Sequence, residues 1–184
     1  MFTFATENGC KLSINYRLQR ALLPSKPMKF IADNNVGKLA KWLRIIGYDT
    51  LFFDEKDDGK LIKIAVKEDR TILTRDTQVM QRRLVTNGRL KAVLINHDNP
   101  KTQLQEVVTK LNLDYHRKPF SICLECNQPL MPKSREEVRS LVPPYVFKTQ
   151  DHYMECPVCH RIYWQGTHWQ RMSKELDELA REEK

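Results

Sequence analysis

Two groups of residues in this chain have the types and spacing to do chemistry. The first is a pair of C-x-x-C motifs, Cys123/Cys126 and Cys156/Cys159. Four thiolates complete the tetrahedral shell of a zinc ion, and a closed shell leaves no position for a reacting water, so such a site is structural. Each knuckle needs a residue tolerant of positive φ just after its second Cys, and Asn127 and His160 stand there. The segment 127–155 is longer than the usual ribbon spacing of about 15 to 20 residues, which implies an insertion between the knuckles. A redox protein is the competing reading, although a thioredoxin-like motif needs only one pair beside a β-α unit. His152, His160 and His168 become ligands only if a Cys fails. Cys10 carries no role.

The second group is acidic. Asp33 and Asp76 each follow a short apolar run, and Asp57 and Asp58 open a helical stripe. Phosphodiester hydrolysis by a metal-activated water needs hard oxygen ligands, and Asp33, Asp58 and Asp76 are an ion cradle of that kind for Mg²⁺ or Mn²⁺. Lys38, Lys41 and Arg44 lie on the polar side of the helix after Asp33 and, with Arg75, are candidates for contact with a substrate backbone. Taken singly, each of these residues has an ordinary role, the acids as caps and the cations as a solvated face.

The elements that must position these residues read as alternating strands and helices. Strands are expected over Lys29–Ala32, Thr50–Phe53, Thr71–Thr74 and Ala92–Ile95. Helices are expected through Leu39–Ile46, Leu61–Ala65 and Val79–Leu84, and from Asn99 as cap to about Leu113. That alternation implies an α/β domain, a mostly parallel sheet flanked by helices. Ligands bind such sheets beyond the carboxyl ends of the strands, where Asp33 and Asp76 are expected. Residues 1–27 form a leader of unknown role, 28–118 the α/β domain, and 119–184 a small four-Cys zinc-ribbon domain with a C-terminal helix. Within the last segment, Ser134 and Glu137 suit a capping box for a helix ending before Pro143. His152–Glu155 and Arg161–Trp164 suit strands.

Composition narrows the partners. The 184 residues are 41% hydrophobic and 29% charged, and no run reaches the roughly 18 apolar residues of a membrane span. The start lacks a secretory pattern, so a cytoplasmic protein is expected, and reduced thiols there favour metal over disulfides. A net charge of +8 favours an anionic partner, most often nucleic acid.

The stretches Phe30-Ile31-Ala32-Asp33, Gly37 to Arg44, Gly47-Tyr48-Asp49-Thr50 and Thr71 to Asp76 resemble the Mut-seven carboxy-terminal (Mut7-C) ribonuclease domain, a PIN-like family. The two cysteine pairs and Tyr163-Trp164-Gln165-Gly166-Thr167-His168-Trp169 extend the resemblance. It implies a PIN-type fold fused to a zinc ribbon, with Mg- or Mn-dependent cleavage of RNA that leaves 5′-phosphate and 3′-hydroxyl ends. Asp33 and Asp76 match the family's signature acids, and Asp57 and Asp58 its acidic pair, with Asp98 a weaker fourth. This chain has Asn35-Val36 where the family carries Met-Leu, and His160 where it often carries Gly. The alternative function is a non-catalytic RNA-binding adaptor on a degenerate PIN fold.

Overall fold

The structure, a computed structural model, describes residues 28–182; the leader 1–27 and Cys10 lie outside the described residues. Four parallel strands form the main sheet in the order β2 (Thr50–Phe52), β1 (Phe30–Ala32), β3 (Thr71–Thr74), β4 (Ala92–Leu94). β1 sits centrally, with Ala32 opposite Phe52 on one side and Leu73 on the other. Because strand side chains alternate, Phe30 and Ala32 face one layer of helices and Ile31 the other. The first layer is α1 (Gly37–Ile45) and α5 (Pro100–Leu111), which bury Leu39, Leu43, Leu104 and Val107. The second is α2 (Asp58–Glu68), whose Leu61 and Ala65 pack on Ile31 and Ile72 with Val79. Each such Leu or Ile contributes about 1.5–3 kcal/mol by leaving water.

Most helix ends follow from local sequence. Asn99 caps α5 by accepting from the Lys101 amide at 2.9 Å, with Pro100 in the first turn. The expected helix through Val79 and Leu84 is two short ones, α3 (Thr77–Met80) and α4 (Arg83–Thr86). Arg82 between them is extended (ψ 135°), which sends its guanidinium to Asp58 at 2.9 Å.

The cysteine-bearing part forms an antiparallel sheet, β5 (Met131–Lys133), β6 (Tyr153–Glu155) and β7 (Ile162–Trp164), in that order. β5 contains Pro132, which a strand tolerates only at an edge. Ser134 and Glu137 do make the capping box, but its helix α6 stops at Val138, and α7 (Pro144–Thr149) is a separate turn that starts on the prolines. The closing helix α8 (Thr167–Glu182) returns to the α/β body, where Leu176 and Leu179 join the core cluster of α1 and α5.

Backbone and side-chain contacts fix the knuckle to the α/β body. Arg44 is 4% exposed, and its guanidinium donates to the Thr50, Leu124 and Glu125 carbonyls at 2.9, 2.5 and 3.2 Å. Asn127, in the left-handed conformation the knuckle requires (φ 58°), accepts from the Thr50 amide at 2.8 Å and donates to Asp49. Gly47 has φ 86°, and a Cβ there would strike the Lys118 carbonyl, so this position is closed to other residues on both counts. Arg44 thus turns donors inward on carbonyls, the pairing of helix α1 with the knuckle is what buries it, and it also lines the groove of Lys38 and Lys41.

Replacing Arg44 with Ala is expected to cost about 2–4 kcal/mol, because buried carbonyls lose a charged donor. Arg44→Lys should recover little of it, since an ammonium lacks the planar fork that serves several acceptors. Chemical denaturation of the three proteins measures this, and equal midpoints would return Arg44 to the surface.

Candidate active site and metal centre

The carboxyl ends of β1 and β3 carry Asp33 and Asp76, and the start of α2 on the same edge carries Asp57 and Asp58. All four line one cleft of about 620 Å³. Asp33 is nearly buried. Its carboxylate accepts from the Asn34 amide at 2.7 Å, the Asn35 side-chain amide at 3.2 Å and the Thr74 hydroxyl at 2.6 Å. Thr74 in turn accepts from the Asp76 amide at 2.9 Å, so one hydroxyl sets both acids. Asp76 caps α3 by accepting from the Gln78 amide at 2.7 Å.

Asp57 and Asp58 divide their work. Asp57 is exposed and caps α2, accepting from the Lys60 amide at 3.0 Å. Asp58 is half-buried and faces Arg82. Among the described residues, the aspartate oxygens do not gather as closely as the cysteine sulfurs, which alone form a group of three or more ligand atoms all within 4.8 Å of one another. Carboxylates around a roomy cleft suit a hard ion that keeps several waters, as Mg²⁺ does, better than a fully protein-ligated one. Thr74, Asn35 and Arg82 escaped the sequence reading. The Thr-x-Asp pattern at the end of β3 was the one available signal for Thr74.

A second groove, of about 860 Å³, shares Asn34 and Asn35 with the acidic cleft and is lined by Lys38, Lys41, Arg44, Arg75 and Phe52. Asn35 is the hinge point of the two, because its side chain donates to Asp33 and accepts from the Arg75 amide at 3.2 Å. Lys41 pairs with Glu125 of the knuckle at 2.7 Å, and Arg75 with Asp98. Asp98 is thus placed in the basic groove and does not line the acidic cleft.

The four cysteines, free of disulfides, come together as their spacing implied. Cys123 Sγ and Cys159 Sγ are 3.7 Å apart, close to the roughly 3.8 Å edge of a tetrahedron with metal–sulfur bonds of about 2.3 Å. Asn127 and His160 both take positive φ, 58° and 56°, which lets their amides turn back to the Cys123 and Cys156 carbonyls at 3.0 and 2.9 Å. Burial opposes ionisation of Cys123. The Tyr163 hydroxyl and the Cys126 and Glu125 amides outweigh it and bring the thiol down to about 7. Cys126, hydrogen-bonded to Cys159 and beside Cys123, is pushed up to about 12. Ionising one sulfur therefore resists ionising the next, and a bound cation removes that conflict, so the donor set fits zinc.

A family model described as the Mut7-C RNAse domain matches residues 28–176. No curated protein and no solved structure matches this chain. Among the described residues, no helix is long and apolar enough to cross a membrane.

Elemental analysis of chelator-free protein is expected to give one zinc per chain, and Cys126→Ser to lose it. Because Arg44, Asn127 and α8 tie the knuckle to the α/β core, metal removal should destabilise the whole chain. A loss of about 3 kcal/mol, roughly 6–12 °C at this length, is expected in a single calorimetric transition. Two separated transitions would show that the parts fold independently.

Proposed function

Because the chain belongs to the Mut7-C RNase domain family, we propose that it is a metal-dependent ribonuclease with a PIN-type aspartate cluster, Asp33, Asp58 and Asp76, and a structural zinc ribbon. The observation that carries this reading is the convergence of the acids on one cleft at the carboxyl edge of a parallel sheet, continuous with a lysine-lined groove. Asp33, Asp58 and Asp76 would hold Mg²⁺ or Mn²⁺, which would acidify a water for attack on phosphorus and neutralise charge at the departing 3′ oxygen. The products carry 5′-phosphate and 3′-hydroxyl ends.

The chain's own groups prepare this step. Thr74 and Asn35 hold the Asp33 carboxylate rigidly, as outer-shell partners do for metal ligands. Arg82 pairs with Asp58 at 2.9 Å and brings a positive charge to the same cleft. Lys38, Lys41 and Arg75 hold the strand by its backbone, and the knuckle edge at Glu125–Asn127 borders their groove. Reduced zinc thiolates suit a cytoplasmic location. The Arg82–Asp58 pair also favours the rival reading, an adaptor whose acids serve structure alone. Divalent-dependent cleavage of labelled single-stranded RNA separates the two.

Asp33→Asn and Asp76→Asn are each expected to lose more than the roughly 10- to 100-fold that an outer-shell substitution costs, and Thr74→Val to fall within that range. Asp58→Asn should impair cleavage. Asp57→Ala should instead cost about 0.5–2 kcal/mol of stability and leave the rate intact. Wild-type rates in Asp33→Asn and Asp76→Asn with the fold preserved would sink the assignment.

Binding should weaken with salt. Replacing Lys38, Lys41 and Arg75 together with Ala should flatten the log–log salt slope by about 2, three single-strand contacts at about 0.7 each. An unchanged slope places those residues on a solvated face.

A further inference from the structure

Phe52 is an aromatic ring that belongs to none of the three core clusters of the described residues. It is the last residue of β2, on the sheet edge that carries Asp33 and Asp76, and it lies opposite Ala32, the residue before Asp33. Adjacent strands are about 4.8 Å apart, so the Phe52 and Asp33 backbones lie within about one nucleotide's span. Its neighbour Phe53 turns into the α2 core and is buried, whereas Phe52 turns to the other face and is 39% exposed. Of the exposed large apolar side chains among the described residues, Phe52 is the one lining the basic groove.

The ring is also held in place. A Cβ on Gly37 would come within 2.7 Å of Phe52 Cε2 and 2.9 Å of Cζ, so the absence of a side chain at the start of α1 is what lets the ring settle there. Gly37 has φ −60° and ψ −32°, a conformation open to any residue, so the backbone gives no reason for glycine. Space for the ring does. Around it stand Lys38, Lys41 and Arg75, and beyond Asn34 and Asn35 the acidic cleft begins.

A flat apolar ring among cations, one step from a phosphodiester-cleaving cleft, has the composition of a single-strand nucleic-acid platform: cations for the backbone, a π-face for a base. We propose that Phe52 is the stacking platform for the base next to the scissile phosphate, and that it restricts the enzyme to single-stranded RNA. This rests on the ribonuclease reading and deepens it. A base stacked on a side chain has left its neighbours in the strand, which a duplex resists and a single strand allows. Phe52 is a positioning residue: the base it holds fixes which phosphate reaches Asp33 and Asp76.

The test reads binding apart from cleavage. Full-length protein is titrated, without added Mg²⁺ or Mn²⁺, with short single-stranded RNAs carrying 2-aminopurine at successive positions. Wild type should quench one position strongly. Phe52→Ala should abolish that quench and weaken binding roughly five- to hundred-fold. Phe52→Tyr should restore both, and Phe52→Leu neither, since apolar bulk without a ring cannot stack. Gly37→Ala, which crowds the ring without straining the backbone, should weaken binding with no loss of thermal stability. An abasic nucleotide at the quenched position should erase the difference between wild type and Phe52→Ala. Unchanged affinity in a folded Phe52→Ala, rescue by Leu equal to that by Tyr, or no RNA binding by the wild type overturns the proposal; the first would mark the ring as a protein-docking contact instead. Phe52-dependent quenching in a protein that never cuts RNA would remove the ribonuclease reading and leave Phe52 as a base-stacking residue of an RNA-binding protein. Cutting that is indifferent to Phe52 and to strandedness would do the reverse.

Discussion

A guanidinium removed from water is costly unless every donor finds an acceptor, and Arg44 finds them on both sides of the molecule at once. It takes the Thr50 carbonyl from the parallel sheet and the Leu124 and Glu125 carbonyls from the first cysteine knuckle. Burial lowers its proton affinity, and the negative charges of Glu125, Cys123, Cys126 and Asp49 work against that loss. Two of those charges belong to sulfurs of the four-cysteine cluster. A divalent ion with four thiolates has a net negative charge, so the cluster and Arg44 each ease the burial of the other. Asn127 adds a second tie to the same strand, and α8 closes the body by packing Leu176 and Leu179 beside α1 and α5. The cysteine module is thereby a wall of the α/β domain and not an appendage to it.

That wall shapes the groove. The parallel sheet gathers strand ends and helix starts on one edge, which is why acids separated by more than forty residues line one cleft. The turn at Asn34–Val36 divides this edge into an acidic side over α2 and a basic side over α1. Asn35 spans the divide. The knuckle bounds the basic side through Glu125, Cys126 and Asn127. Opposite charges are thus kept on either side of a single turn, an arrangement suited to holding a polyanion by its backbone while presenting one phosphate to carboxylates.

The features that were legible in the sequence are those whose cause is local. Hydrophobic period gave the order of strands and helices, Asn99-Pro100 and Ser134/Glu137 marked two caps, and the C-x-x-C spacing marked the clustering of the four cysteines together with the positive φ of Asn127 and His160. The motif resemblance to the Mut7-C family agrees with the family match over residues 28–176.

The burial of Arg44 was decided by partners some eighty residues away, which its place in the helical pattern does not reveal. The separate roles of Asp57 and Asp58 depend on where Arg82 arrives, and that follows from a break between α3 and α4 that periodicity read as one helix. β5 was invisible because Met131-Pro132-Lys133 forms a strand only when β6 offers an edge. Phe52 entered only as part of the expected strand Thr50–Phe53, and strand pattern does not tell it from its buried neighbour Phe53. A local pattern shows that a side chain is apolar, charged or able to cap; which surface of the folded chain covers it is set by non-local contacts, and that is what buries a cation such as Arg44 and leaves a ring such as Phe52 exposed.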